Sequence, residues 1–180
     1  IHDELTGMFN YTGFVKHSKP MVERACEENR FVSVLAMDMA NLDKINEKYG
    51  RTEGDRAIRK VAGIIQQCAD EGAMCCRLGD DEFIMAELVD EASHEKIHEV
   101  RRRIDQSLEE YNQSPQSRYE LRLFSGSRTK RVKDLVEMED LVNAAVIRKN
   151  GHKASEKRLH GDVTLSVQEQ EQAAQVKKVL

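Results

Sequence analysis

The chain has 180 residues, enough for one domain with a short appendage, and its 39% hydrophobic and 33% charged content describes a globular fold with a polar surface. A net charge of −4 argues against a general nucleic-acid binder, and no apolar run reaches the length of a membrane span. Four cysteines without a C-x-x-C pair exclude a zinc or disulfide framework and read as buried, reduced thiols of a cytosolic protein.

The sequence opens at Ile1 without a methionine or a signal peptide and reads as a piece of a longer protein. Turn residues fill "DELTGMFN" from Asp3, and residues 11–29 then place Phe14, Val15, Met21, Val22 and Ala25 at helical spacing, with Pro20 expected to kink or restart the helix. "FVSVLAMD" is apolar on both faces, as a central strand over 31–38 requires. A short helix over 41–49 is stopped by Gly50, and a second follows over 53–70 with Ala57, Ile58, Val61, Ile64 and Ile65 on one stripe. Residues 73–78 and 83–89 predict a hairpin whose turn takes a left-handed backbone at Gly79-Asp80 or Asp80-Asp81. A helix over 93–111, a half-exposed strand in "RYELRLFSGS" from Arg118, and a helix over 134–150 closed by Gly151 complete the domain. Residues 159–180 read as a linker and a polar helix outside the core. A hairpin within a strand–helix alternation implies an α+β fold, a mixed and mostly antiparallel sheet covered by helices.

The chemistry concentrates in two places. The central strand ends at Asp38, and the hairpin tip "RLGDDEF" presents Asp80, Asp81 and Glu82. On neighbouring strands these carboxylates would face one another and raise each other's pKa values unless a cation intervened. Mg²⁺ is commonly held by one or two carboxylates together with substrate phosphate oxygens, so metal-assisted phosphoryl transfer suits the pattern. The simpler alternative makes Asp80 and Asp81 turn formers and Asp38 a helix cap.

Three ordered stretches, "DELTGMFNYTGF", "MDMANLDKINEKYGRTEGD" and "RLGDDEF", resemble the diguanylate cyclase, or GGDEF, family over residues 3–158. That family shows D-x-L-T-G-L-x-N-R-x-x-F, then D-x-D-x-F-K-x-x-N-D-x-x-G-H-x-x-G-D, then R-x-G-G-D-E-F. The resemblance implies a nucleotide-cyclase or polymerase-palm-like fold, GTP as substrate, Mg²⁺ or Mn²⁺ as cofactor, and cyclic di-GMP made in a homodimer. It also implies residue roles. Asp38, the Met39 carbonyl, Asp81 and Glu82 would hold the metal, with Asp81 and Glu82 supporting activation of the 3′-hydroxyl. Asn46 and Asp55 would read the guanine edge, while Gly79 and Asp80 stand at the two glycine positions beside the substrate. Arg148 takes the lysine position of a segment A-K-x-x-G-R-N by its distance to Gly151, and His152 the arginine position; Lys149 is the alternative if the register shifts by one.

Departures from the pattern leave several readings open. Asp80 replaces a glycine and Asp43 a phosphate-contacting lysine, both adding negative charge near a triphosphate. The R-x-x-D feedback motif is absent, with Asp70 and Ala73 at its positions. One reading is a working cyclase of a bacterial cyclic di-GMP signalling protein. A second is a degenerate GTP-binding or dimerising module that regulates an attached domain, such as a sensor or an EAL phosphodiesterase. A third is an interaction domain without a ligand. All three place the fragment in the cytoplasm without contact to membrane or nucleic acid, any membrane anchor lying in an upstream region.

Overall fold

The computed structural model describes residues 1–159. In chain order its elements are α1 (Tyr11–Glu27), β1 (Phe31–Met39), α2 (Leu42–Tyr49), α3 (Arg51–Cys68), β2 (Met74–Arg77), β3 (Glu82–Val89), α4 (Glu95–Gln113), β4 (Leu123–Lys130) and α5 (Leu135–Leu159). The strands form one sheet in the order β2-β3-β1-β4, with every pairing of named strands antiparallel. The parallel contribution is a single bridge between Phe9 and Cys76. The expected α+β architecture is therefore present.

Strand β1 is buried along nearly its whole length because both of its faces are covered. Leu35, Met37 and Met39 join Ile58, Val61, Ile65, Ile97 and Ile104 in one core layer against α3 and α4. Val32, Val34 and Ala36 join Phe14, Val22, Met138 and Leu141 in the other, against α1 and α5. The strict two-residue alternation of a strand sends successive side chains to opposite layers. Asp38 falls in phase with the α5 layer, which decides what it meets.

The sheet's edges are both attended. The N-terminal segment runs along β2, where the Phe9 N–H donates to the Cys75 carbonyl and the Arg77 N–H to the Phe9 carbonyl. On β4 the helix α5 supplies the partners: Arg148 donates to the Ser127 carbonyl, and the Ser125 N–H donates to His152 Nδ1. Edge strands left open invite pairing with other chains, so such cover has a protective effect.

Five expectations are corrected. Of the four cysteines read as buried, only Cys76 is; Cys26 is exposed, and Cys68 and Cys75 are half-buried. Helix α1 passes through Pro20 without interruption, its buried face of Phe14, Val22 and Ala25 holding it against the sheet. The predicted strand from Arg118 starts only at Leu123, because Leu121 is fastened by the Asn112 side-chain amide at 2.8 and 2.9 Å instead of by a strand partner. The hairpin turn contains no left-handed residue; it is closed by the Leu78 N–H donating to the Glu82 carbonyl. Helix α5 does not stop at Gly151 but continues to Leu159, since Lys149, His152 and Lys153 on either side all make tertiary contacts. The expected tail and linker from 160 onward lie outside the described residues.

Candidate functional site

Antiparallel pairing sets Asp38 directly opposite Glu82, and the Met39 N–H donates to the Asp81 carbonyl at 3.0 Å. The carboxylates expected to converge are thus brought to one end of the sheet. Asp38 is only 4% exposed, whereas the Glu82 side chain is half exposed. Burial, reinforced by the neighbouring Asp38, pushes the Asp81 carboxyl above its ordinary pKa, and Lys153 partly offsets this.

The cation that answers these acids comes from α5. Lys149, 1% exposed, places its ammonium 3.0 Å from Asp38 Oδ1 and 3.4 Å from Glu82 Oε1. Lys153, one turn on, lies 3.6 Å from Asp38 Oδ2. Helix α5 can approach this closely because β4 has Gly126 beneath it, where an added Cβ would overlap the Lys149 backbone nitrogen. Arg148, expected at this position, instead faces away and donates to the Ser127 carbonyl at 3.3 Å, and His152 bonds the backbone of β4. The α5 cations that face the strand-end acids are Lys149, the alternative register, and Lys153, spaced by four like the lysine and arginine of the segment the sequence resembles; Arg148 is not brought to these acids.

The hairpin tip is clamped by the opening motif. Asp3 Oδ2 accepts from the Thr6 N–H at 2.9 Å and the Thr6 hydroxyl at 2.6 Å, and both Asp3 oxygens accept from Arg77 Nη1 at 3.1 and 3.2 Å. The same arginine donates to the Asp80 carbonyl through Nε and Nη2 at 3.2 and 2.8 Å. Burial alone would raise the Asp3 pKa; the Thr6 hydrogen bonds and Arg77 overcome it and hold the carboxyl low. Asp80 therefore adds a negative charge at the tip but no backbone strain. Gly79 is the tighter position, where a Cβ would come 2.9 Å from Glu82 Oε2.

From this end a cleft of ≈ 1040 Å³ extends across α2 and α3, lined by Met39, Asp43, Asn46, Asp55, Asp80 and Asp81 among others. Asn46 Oδ1 is buried without a hydrogen-bond partner. It occupies the space left by Gly54, where a Cβ would overlap that oxygen. Asp55 follows on the same turn of α3, so an amide and a carboxylate share one wall. The cleft is not one-sided in charge: Lys44, Arg51, Arg77, Arg122, Lys153 and Lys157 balance Asp43, Asp55, Asp80, Asp81, Glu120 and Glu156.

Among the described residues no three His, Cys, Asp or Glu side chains form a ready-made metal cage. The donor set nevertheless suits a hard divalent cation. Two opposed carboxylates and a third alongside are oxygen donors of the kind Mg²⁺ and Mn²⁺ prefer, and the ammonium held between Asp38 and Glu82 shows that this pair calls for positive charge.

The sequence profile of the family described as "Diguanylate cyclase, GGDEF domain" matches residues 1–159. Curated relatives include the diguanylate cyclase DgcS of Shewanella oneidensis, 32% identical over 83 residues, which are 46% of this chain and 28% of that protein. The probable diguanylate cyclase DgcJ of Escherichia coli is also 32% identical over 83 residues, covering 46% of this chain and 17% of the relative. These matches thus span less than a third of either relative. Among solved structures, the GGDEF domain of TpbB (YfiN) from Pseudomonas aeruginosa superposes with a TM-score of 0.68 at 25% identity, over 83% of this chain and 88% of that one. Diguanylate cyclase SiaD of the same organism, solved with its activator SiaC, shares the fold with a TM-score of 0.74 at 20% identity, over 86% of this chain and 58% of that one.

Proposed function

This chain belongs to the diguanylate cyclase GGDEF domain family, and on that premise we propose that its cleft binds GTP with Mg²⁺ or Mn²⁺ and performs cyclase-type chemistry. The observation that carries the reading is the pairing of two chemistries across one cleft. Asn46, whose Oδ1 is unpartnered, and Asp55 line the cleft together with Asp81 and Lys153, and Asp38, Glu82 and Lys149 meet at the strand end beside these last two. An amide offers both donor and acceptor, and a carboxylate accepts from N–H groups, which together match the edge of guanine.

Asp38, Asp81, Glu82 and the Met39 carbonyl are the groups that would hold the divalent ion, whose chemistry is to neutralise triphosphate charge as pyrophosphate departs. Lys153, which lines the cleft, would meet the phosphates, Lys149 neutralises Asp38 and Glu82 from the protein side, and Asp81 with Glu82 would receive the proton of a 3′-hydroxyl. Two protomers, each with one GTP, face each other. Each 3′-oxygen attacks the α-phosphorus of the other nucleotide, two new phosphodiester bonds form, and two pyrophosphates leave. Such a reaction belongs to the cytoplasm and to a signalling protein with attached sensory or effector domains.

A second reading rests on Asp43 and Asp80, which line the cleft and add negative charge where the triphosphate would lie. In it the domain binds GTP without turning it over and regulates an attached domain such as an EAL phosphodiesterase. Incubation of the purified chain with GTP and Mn²⁺, followed by chromatography for cyclic di-GMP, decides between them. Product in the wild type that disappears in Asp38→Asn sinks the regulatory reading. Calorimetric GTP binding without product, together with turnover gained by Asp80→Gly combined with Asp43→Lys, sinks the catalytic one. Absence of GTP binding overturns both.

A further inference from the structure

We propose that the chain carries a second anion site, outside the cleft, where the start of α4, the edge strand β4 and the outer side of α5 meet, and that it takes a phosphate-class oxyanion. Two guanidinium groups are held there. Arg148 of α5 is anchored by its bond to the Ser127 carbonyl at 3.3 Å, which fixes it beside the next residue of β4, Arg128. His94 and His98, one helical turn apart, stack with ring centroids 6.0 Å apart, and His94 lies within the field of both arginines. Burial first, then the fields of Arg148, His98 and Arg128, hold the His94 pKa below its ordinary value; burial and Arg128 likewise lower that of Arg148.

What marks the cluster is the lack of compensation. Arg30, Arg77, Arg103 and Arg122 each have a carboxylate within salt-bridge distance. Among the described residues the ion pairs give Arg128 and Arg148 none. Two nitrogens of the cluster, Arg128 Nε and His94 Nδ1, are buried with no hydrogen-bond partner. Buried polar atoms are normally satisfied, and Arg128 Nε–H can only donate, so it asks for an outside acceptor; His94 Nδ1 joins it as a donor in the tautomer that carries its proton there. The helix adds to this: α4 is 19 residues long and its N-cap, His94, makes no side-chain capping bond. Its positive end starts at His94, within the field of the two arginines. Paired guanidinium forks match a tetrahedral oxyanion through parallel N–H···O bonds. The site stands apart from the cleft because Lys149, the next residue, is turned inward to Asp38. It does not depend on the nucleotide reading above.

The test is a titration of the intact chain with inorganic phosphate, without divalent metal and at ionic strength held constant with sodium chloride, followed by nitrogen–proton NMR. Saturable shifts are expected at the Nε–H groups of Arg128 and Arg148 and at the His94 ring. Arg148→Gln should weaken the apparent affinity by about tenfold, and Arg128→Gln with Arg148→Gln should abolish it. Arg148 is exposed, so the single variant keeps the wild-type melting temperature, and phosphate should raise that temperature in the wild type more than in the variant. Shifts that fail to saturate, that are confined to Lys149 and Lys153, or that persist unchanged in Arg148→Gln would overturn the proposal.

Discussion

At the scale of single residues, the decisive contact is the one between Lys149 and the two carboxylates of the strand ends. A lysine this buried is sustained by its partners, and removing one member of such a group leaves an uncompensated charge. Lys149→Met should lower the stability of the ligand-free chain by about 3 kcal/mol in urea unfolding. Mn²⁺ should then raise the melting temperature of the variant more than that of the wild type, because Glu82 loses its counter-ion and Asp38 keeps only Lys153. Asp81 carries the opposite expectation. A carboxyl whose folded pKa lies above the ordinary 3.8 subtracts stability as pH rises from 3.8 through the raised value. Asp81→Asn should therefore stabilise the domain at neutral pH by about 1 kcal/mol, roughly 2–4 °C, while any nucleotide turnover falls. An unchanged melting temperature would show that neither the burial of Asp81 nor the proximity of Asp38 carries a penalty. The carboxylates themselves were legible in the sequence, since their types and order mark them. Their cation was not, because neighbouring basic residues in "RKNGHK" look alike until the helix is placed on the sheet.

At the scale of elements, the motifs turn out to be mechanical parts of one another. The opening "DELTG" holds Arg77, and Arg77 holds the hairpin tip, so two segments more than 70 residues apart act as one unit. Because the Asp3 pKa is depressed, its contribution is present above pH 3.8 and is lost as pH falls through the lowered value. Asp3→Asn should lower stability at pH 7 by about 2 kcal/mol and flatten the acid limb of the stability curve below pH 4, as followed by urea melts. Helix α3 offers a paired test. Gly54→Ala would drive a methyl group into Asn46 Oδ1, so GTP affinity should drop at least about tenfold. Gly63→Ala, with nothing within 4 Å of the new carbon, should leave binding alone and add up to about 1 kcal/mol of stability. Equal effects of the two would remove the reason given for the glycine at 54. Helices and strands were read correctly in kind, because hydrophobic periodicity is local. Their ends were less legible: Asn112 fastens Leu121, and α5 passes Gly151, through contacts that no window of sequence contains.

At the scale of the whole molecule, the sheet brings together residues from distant parts of the described chain, and in the proposed cyclase chemistry one protomer supplies only half of a two-nucleotide reaction. If the proposed cyclase chemistry operates, specific activity should rise with protein concentration in the range where dimers form, as measured by product formation against dilution. A specific activity independent of dilution, with sedimentation showing monomer, would count against the two-protomer arrangement. The sequence by itself determined the α+β layering, the family, and which acids meet at the strand ends, since these follow from periodicity and from three ordered motifs. Only the tertiary structure decided that Lys149 and Lys153 face Asp38, while Arg148 faces away toward Arg128 and His94. The reason is geometric: one residue along an α-helix turns a side chain by about 100°, so an ambiguity of one position in the sequence becomes a choice between opposite surfaces of the protein.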